Sequence, residues 1–207
     1  RYLTNPLRAL TTAVFFDMGI AFHDLELDRI RLKEITWADI ADQTAVVKKK
    51  FSRQVLKDFV LFPLLGGPLF LPILLGNALA NLMRNLWAFT IIFCGHFPSG
   101  VAVFHEEDVQ NETKGQWYIR QLLGSANLTG GKLFHVLSGN LSHQIEHHLF
   151  PDIPARRYGA IAVEVRALCE RYGLPYNTGP LSKQFGSVIG RIFRLALPNR
   201  PAAAATA

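Results

Sequence analysis

The sequence predicts an all-α membrane protein with a transmembrane helical hairpin, an interfacial helix and a cytosolic helical cap. Three observations support this fold class. Apolar residues make up 49% of the 207-residue chain and are concentrated in its first half. The formal net charge is +6, and basic residues flank the apolar runs. The second half is more polar and carries five of the seven histidines. Basic residues that flank apolar runs favour a membrane surface over nucleic acid as the partner.

The first element is an apolar stretch, residues 7–22, that contains Arg8 and Asp17. The two charges favour a helix lying in the membrane interface, although a spanning helix is also compatible with the pattern. The two cysteines, Cys94 and Cys169, form neither a CxxC motif nor a disulfide framework. This usage favours a reducing compartment that faces the cytosol.

Two long apolar runs form the predicted hairpin, which occupies about residues 56–97. Residues 59–75 carry no charge and can be extended through Ala80, and residues 77–97 carry only Arg84. A bilayer core of roughly 30 Å needs about 20 helical residues, so both runs are long enough. Gly76-Asn77 is the predicted turn between them. A buried core segment of a soluble protein is the alternative for the first run.

Positive charge orients the hairpin. The tip, residues 76–82, has no lysine or arginine, whereas the segment before the first run has eight. These eight are Arg29, Arg31, Lys33, Lys48, Lys49, Lys50, Arg53 and Lys57. Because basic residues collect on the cytoplasmic side, both ends of the hairpin are predicted to face the cytosol. The protein is therefore expected to be a multi-pass membrane protein, with His96 at the cytosolic membrane surface.

The predicted cytosolic cap covers residues 98–180. Helices are expected near residues 117–123, 131–148 and 154–172, and the last seven residues, PAAAATA at 201–207, are expected to be disordered. Within the second helix, His143 and His147 are four residues apart, and Gln144 precedes His147 by three. Residues at these spacings share a helix face, so the segment predicts a cluster of imidazoles with a glutamine beside it.

A metal site is the hypothesis that this cluster favours. Imidazole binds zinc, copper, iron and nickel, and the residues alone do not select among them. A polar surface helix with spare histidines is the alternative. Other catalytic patterns are missing from the sequence: H-E-x-x-H, GxSxG, the P-loop and GxGxxG are all absent.

Three motifs resemble those of the membrane fatty acid desaturases. Residues 144–148, QIEHH, followed by Leu-Phe-Pro, resemble the third histidine box of that family, [HQ]-x-x-H-H. Residues 93–98, FCGHFP, resemble the segment with the family's additional histidine, and residues 114–127 resemble its W…Q…N stretch. The resemblance runs from about Asn5 to Pro198. It is greatest to bacterial acyl-CoA desaturases of the delta-9 type, and it covers their C-terminal part.

The resemblance implies a centre of two iron ions that uses dioxygen to desaturate an acyl chain. It implies His96, His143, His147 and His148 as metal ligands, with Gln144 and Asn140 as weaker ligands or supporting groups. It also suggests Trp117, Gln121 and Asn127 for the substrate channel. The implied partners are the bilayer, an acyl-CoA or acyl-lipid substrate, and a reductase or ferredoxin-type donor that supplies electrons. The active-site face would be cytosolic.

The family's first two histidine boxes, H-x(3,4)-H and H-x-x-H-H, are not found before Phe59, where His23 is the sole histidine. The chain is therefore expected to be a C-terminal portion that supplies part of the site and is inactive alone. His23, His105 and His135 match no box and are expected to be ordinary polar residues. Two alternatives remain open: a lipid hydroxylase or ketolase on the same scaffold, and a non-catalytic membrane protein that binds one zinc through His143, His147 and His148.

Overall fold

The computed structural model describes residues 2–23, 25, 27–105 and 109–198, with side chains omitted at 21–23, 28 and 31. The side chain of His23 and the predicted disordered tail, 201–207, lie outside the described residues. The chain is mostly helical and divides into two compact units. One unit comprises Leu10–Phe89, and the other comprises Arg1–Ala9 together with Thr90–Ala207.

Helices fill the first half of the chain. They are α1 (Thr4–Val14), α2 (Phe16–His23), α3 (Leu27–Arg31), α4 (Ala41–Leu56), a π-helical turn (Lys57–Leu61), α5 (Phe62–Leu65), a 3-10 turn (Gly67–Leu69) and α6 (Phe70–His96). The apolar stretch at 7–22 is split between α1, of 11 residues, and α2, of 8 residues. At 1.5 Å per residue, neither helix alone matches a bilayer core of roughly 30 Å.

The predicted turn at Gly76-Asn77 is wrong, because α6 runs through both residues without interruption. The chain instead reverses at Gly66-Gly67, where Gly67 adopts a left-handed φ of 53° that favours glycine. The amide of Asn77 donates to the carbonyl oxygen of Asp58 across the two arms at 2.6 Å. Both glycine sites have the composition of a turn, but Asn77 lies within α6 and its side chain links the two arms.

One helical stretch in the described part of the chain, Gly67–His96, is long and apolar enough to cross a bilayer. Only 6% of its most apolar window is buried inside the structure. A soluble core helix of this composition would be mostly covered, so the exposure favours lipid as its surroundings.

Polar side chains along α6 find partners on the other helices of their own unit. The guanidinium of Arg84 pairs with the Asp17 carboxylate at 2.5 Å, and the amide of Asn85 donates to the Val14 carbonyl at 2.9 Å. Asn81 donates to the Asp58 carboxylate at 3.4 Å. An apolar environment makes unpaired polar groups costly, so these contacts connect the helices specifically.

The second half of the chain is built from short elements. They are α7 (Lys114–Leu123), β1 (Asn127–Thr129), α8 (Lys132–Leu137), α9 (Gln144–Leu149), a 3-10 turn (Ala155–Arg157), α10 (Tyr158–Tyr172), β2 (Thr178–Pro180) and α11 (Leu181–Ala196). The two strands pair in parallel, with Asn127 opposite Thr178. The all-α prediction therefore misses a small two-stranded sheet, because each strand has only three residues.

A continuous helix over residues 131–148 is also a wrong prediction. The segment divides into α8 and α9, because Gly139 and Asn140 both adopt left-handed φ values, 62° and 60°. Such values end a right-handed helix. Buried residues of α7, α9 and α10 then form one core: Leu122, Ile145, Leu149, Val165 and Cys169. Helix α9, which carries the paired histidines, is fixed by this core.

Candidate metal centre

Two histidines that are distant in sequence come together in the structure. His96 is the last residue of α6, and His148 lies near the end of α9. Their Nε2 atoms are 3.4 Å apart, and the two rings are nearly perpendicular, at 88°. Imidazole nitrogens bound to one ion at about 2.0–2.1 Å cannot be more than about 4 Å apart. The observed separation therefore fits two ligands of one ion.

The electrostatic surroundings keep the His148 ring neutral. Burial, with smaller contributions from His96 and His147, lowers the pKa of His148 to about 4. A neutral imidazole retains the lone pair with which histidine binds metals. Near pH 7, this side chain is therefore in the form that a metal ion requires.

Tyr158 orients the neighbouring ring of His147. The Tyr158 hydroxyl lies 3.2 Å from Nδ1 of His147 and donates to the carbonyl oxygen of Phe150 at 3.4 Å. When the hydroxyl donates to Phe150, Nδ1 of His147 carries the proton and donates to the tyrosine oxygen. That tautomer leaves the Nε2 lone pair of His147 for a metal, as outer-shell partners of metal-binding histidines commonly do.

Removing this hydroxyl supplies a test. Replacing Tyr158 with phenylalanine is expected to weaken metal binding by about 10- to 100-fold, the usual cost of losing an outer-shell partner. Titration of the iron-free protein with Fe²⁺ measures the change. Tyr172→Phe is the matched control, because Tyr172 lies on the same helix, α10, and is exposed. Equal affinity in both variants would show that Tyr158 does not orient His147.

Gln144 supplies a buried oxygen beside these histidines. Its side chain is 2% exposed, and its Oε1 has no hydrogen-bond partner within the described residues. A Cβ at Gly95, next to His96, would lie only 2.3 Å from Cγ of Gln144, so glycine permits this close approach. An unpaired buried acceptor costs about 1–3 kcal/mol. A bound ion or its water would satisfy it, so the residues present fit a metal centre.

His143 lies in different surroundings from those that a continuous helix predicts. It precedes the first turn of α9, and its ring stacks on that of His135 with centroids 4.6 Å apart. Its Nδ1 is 3.9 Å from the Glu146 carboxylate, and burial lowers its pKa to about 4. His135 in turn contacts the Ser142 hydroxyl at 2.7 Å. The predicted metal role of His143 remains untested, whereas its observed contacts are with His135 and Glu146.

The described histidines do not form a complete site. Within the residues that the structure describes, no group of three or more His, Cys, Asp or Glu side chains is arranged to hold a metal ion. The arrangement offers a close histidine pair, an oriented third histidine and an amide oxygen. It can hold part of the coordination shell of an ion, and the remaining ligands would have to come from elsewhere.

Sequence reasoning missed a buried polar network under α9. The Glu146 side chain is fully buried, and its carboxylate accepts hydrogen bonds from Asn127 and from Tyr176, each at 2.8 Å. The amide oxygen of Asn127 also accepts from the backbone N–H of Ile145 at 2.9 Å. Burial raises the pKa of Glu146, and the two hydrogen bonds partly offset it. No spacing in the sequence signals this network, since its members are far apart along the chain.

The other predicted site residues lie in different parts of the structure. Trp117 lines a cavity of about 580 Å³ together with Tyr118 and Phe150. The carbonyl oxygen of Gln121 accepts a hydrogen bond from Ser125, and Asn140 forms the turn before α9. Asn127 belongs to the Glu146 network. Among the predicted channel residues, the cavity thus includes Trp117.

Comparison with known proteins agrees with these observations. The sequence model of the family "Fatty acid desaturase" matches residues 2–180. The NADPH-dependent stearoyl-CoA 9-desaturase of Mycobacterium tuberculosis is 42% identical over 192 residues, which cover 91% of this chain and 45% of that protein. Human fatty acid desaturase 3 is 30% identical over 108 residues, covering 52% of this chain and 22% of that protein.

No solved structure shows a significant match to the chain. The chain spans about half the length, 45%, of the mycobacterial relative. The expected likeness to bacterial acyl-CoA delta-9 desaturases is confirmed by that relative. Because the family model covers most of its length, the chain belongs to the fatty acid desaturase family.

Proposed function

We propose that this chain supplies part of a histidine-held di-iron centre that desaturates a fatty acyl chain. The 3.4 Å approach of the His96 and His148 Nε2 atoms carries the proposal. His96 belongs to the segment that resembles the family's additional histidine, and His148 belongs to the motif that resembles its third box. His147, with its Nε2 lone pair, is the third proposed ligand. His143 is retained as a proposed ligand, and Asn140 as a supporting residue, on the resemblance alone.

The protein's contribution is binding and orientation. Bound iron supplies the reaction with dioxygen that removes two hydrogens from an unactivated acyl chain. His96, His147 and His148 hold the iron, and Tyr158 fixes the ring of His147. Gln144, which is 2% exposed and packs against Gly95 next to His96, would offer its unpaired oxygen to the ion or to its water. The core of α7, α9 and α10 fixes α9 through Ile145 and Leu149, which flank His147 and His148 in sequence.

The substrate proposed for the centre is an acyl-CoA. The mycobacterial relative is a stearoyl-CoA desaturase by name, and this chain has an apolar cavity next to α9. Leu149, Phe150 and Pro151, which directly follow the paired histidines, line it opposite Trp117. A cavity of about 580 Å³ falls in the range of small-molecule sites, roughly 300–1,000 Å³. Glu112, Lys114 and Asp152 also line the cavity, and its apolar part suits the methylene groups of an acyl chain.

We further propose a multi-pass membrane setting with the site on the cytoplasmic face. The exposed apolar stretch Gly67–His96 supports one crossing, and the eight basic residues before it support its orientation. The electrons would come from an external reductase or ferredoxin-type protein. The described histidines are too few for two irons, so this chain by itself is proposed to be inactive.

The alternatives differ in measurable ways. A single zinc held by His143, His147 and His148 is disfavoured, because this set leaves out His96, whose Nε2 lies 3.4 Å from that of His148. A hydroxylase or ketolase would use the same histidines, and its product distinguishes it. No observation of the structure favours it over desaturation.

The decisive assay uses the complete gene product in membranes, with isotope-labelled stearoyl-CoA, NADPH and a reductase. We expect a mono-unsaturated product and about two irons per chain, whereas residues 1–207 alone should give no product. Mass spectrometry separates an alkene, which is two hydrogens lighter, from an alcohol, which is one oxygen heavier. One zinc with no iron, or an oxygenated product alone, would contradict the proposed function.

A further inference from the structure

The C-terminal helix α11 leaves an apolar stripe exposed. Phe185, Ile189 and Phe193 are spaced four residues apart and therefore share one side of the helix. Phe185 is 37% exposed and Phe193 is 56% exposed. Three large apolar side chains in a row on a surface helix are a typical feature of an interaction site.

The other sides of α11 have distinct characters. Gln184 and Val188 are buried and fix the helix to the body of its unit. Lys183, Arg191 and Arg194 lie away from the apolar stripe and give the helix three positive charges with no acidic residue. An amphipathic helix with an apolar stripe and basic flanks has the composition of one that lies in a membrane interface.

The position of α11 in the fold matches this composition. The Ser187 hydroxyl accepts a hydrogen bond from the backbone N–H of Ser99 at 3.1 Å, and Asn177 donates to the Ser99 carbonyl at 3.0 Å. Ser99 lies three residues beyond the end of α6 at His96. The helix is thus fastened where the chain would leave the bilayer.

A second apolar segment meets the far end of α11. The amide of Asn5 donates to the Leu195 carbonyl oxygen at 3.4 Å. Leu3 and Leu7, which flank Asn5, are exposed, as is Leu195. The contact extends the exposed apolar surface from α11 onto the start of α1, so the surface is longer than one helix.

We propose that α11 lies along the anionic surface of the bilayer that α6 crosses. Phe185 and Phe193 enter the boundary between headgroups and acyl chains, and Lys183 and Arg194 contact lipid phosphates. Anionic lipid is the matching partner, because basic residues near such a surface contribute about 1 kcal/mol each. This proposal rests on the membrane crossing of α6. It concerns neither the metal nor the substrate, so it can fail while the proposed activity stands.

Fluorescence quenching by labelled lipid tests the proposal. A bimane label is attached to Phe193→Cys in the whole protein, reconstituted in nanodiscs of phosphatidylcholine with phosphatidylglycerol and a shallow doxyl lipid. Both native cysteines, Cys94 and Cys169, are buried, and the unsubstituted protein gives the labelling background. Val163→Cys is the matched control, because Val163 is a 70% exposed apolar residue on α10.

Strong quenching at position 193 and little at position 163 is the expected result. Lys183→Gln or Arg194→Gln, each combined with Phe193→Cys, should weaken the binding of α11 to the membrane surface. The ratio of bound to detached helix should fall about fivefold per charge removed. Equal quenching at 193 and 163 would overturn the proposal. So would a blue-shifted label at 193 that the doxyl lipid does not reach, because a protein surface would then cover the stripe.

Discussion

Replacing His148 with alanine is expected to abolish desaturation and to remove iron from the protein. The substitution deletes the imidazole whose Nε2 lies 3.4 Å from that of His96. Loss of an outer-shell partner already costs about 10- to 100-fold, so loss of a ligand should cost at least about 100-fold in activity. Iron per chain and product formed from labelled stearoyl-CoA are measured on the same membrane preparation.

His105→Ala is the control for the His148 variant, because it also deletes one imidazole but lies outside the proposed centre. It should retain iron and activity. A His148→Ala protein that folds, keeps two irons and makes product would contradict the assignment. A variant that keeps its iron but loses activity would assign His148 to a role other than holding the metal.

Replacing Asn127 with alanine is expected to give the largest loss of stability. This one amide donates to the Glu146 carboxylate, at 2.8 Å, and accepts from the Ile145 N–H, at 2.9 Å. It also donates to the Tyr176 hydroxyl at 2.7 Å. Removing it leaves a buried carboxylate and a buried N–H short of partners, at a cost of about 3 to 5 kcal/mol. Chemical denaturation in detergent, followed by circular dichroism, measures the change in the free energy of unfolding.

Thr129→Ala on the same strand, β1, is the matched control for Asn127. Thr129 is exposed and ends the strand. The free energy of unfolding of the Thr129→Ala protein should therefore change by at most about 0.5 kcal/mol. An Asn127 variant as stable as the Thr129 variant would show that Glu146 is satisfied without the amide. If the Asn127 variant lost activity but kept its stability, the result would instead support the predicted role of Asn127 in the substrate channel.

The sequence was most informative where chemistry and spacing are local. The resemblance of the QIEHH and FCGHFP segments to family motifs implied that His96 and His148 belong to one site, and the structure brings the two residues together. The helices α7 and α10 end where they were predicted to end, at Leu123 and Tyr172, but begin three residues before and four residues after their predicted starts. For α7, Thr113 and Gln116 form a reciprocal cap at its start.

The position of the turn, the break before α9 and the unpaired oxygen of Gln144 depend on tertiary contacts. The spacing of apolar residues in the sequence does not predict such contacts. Gly66-Gly67 and Gly76-Asn77 both have the composition of a turn, but only the first is followed by a proline, and Asn77 of the second donates to Asp58. The break at Gly139-Asn140 moves His143 away from the helix face that it was predicted to share with His147. The unpaired oxygen of Gln144 depends on its packing against Gly95, which is 49 residues away in sequence.

The approach of His96 to His148 has a consequence for biogenesis. The two residues are 52 positions apart, so an ion shared between them acts as a removable cross-link that closes a long loop. Ligands that bind only the native state stabilise it by mass action. If the proposed iron centre forms, metal supply would set the lifetime of the polypeptide as well as its activity, and iron starvation would expose the protein to proteolysis.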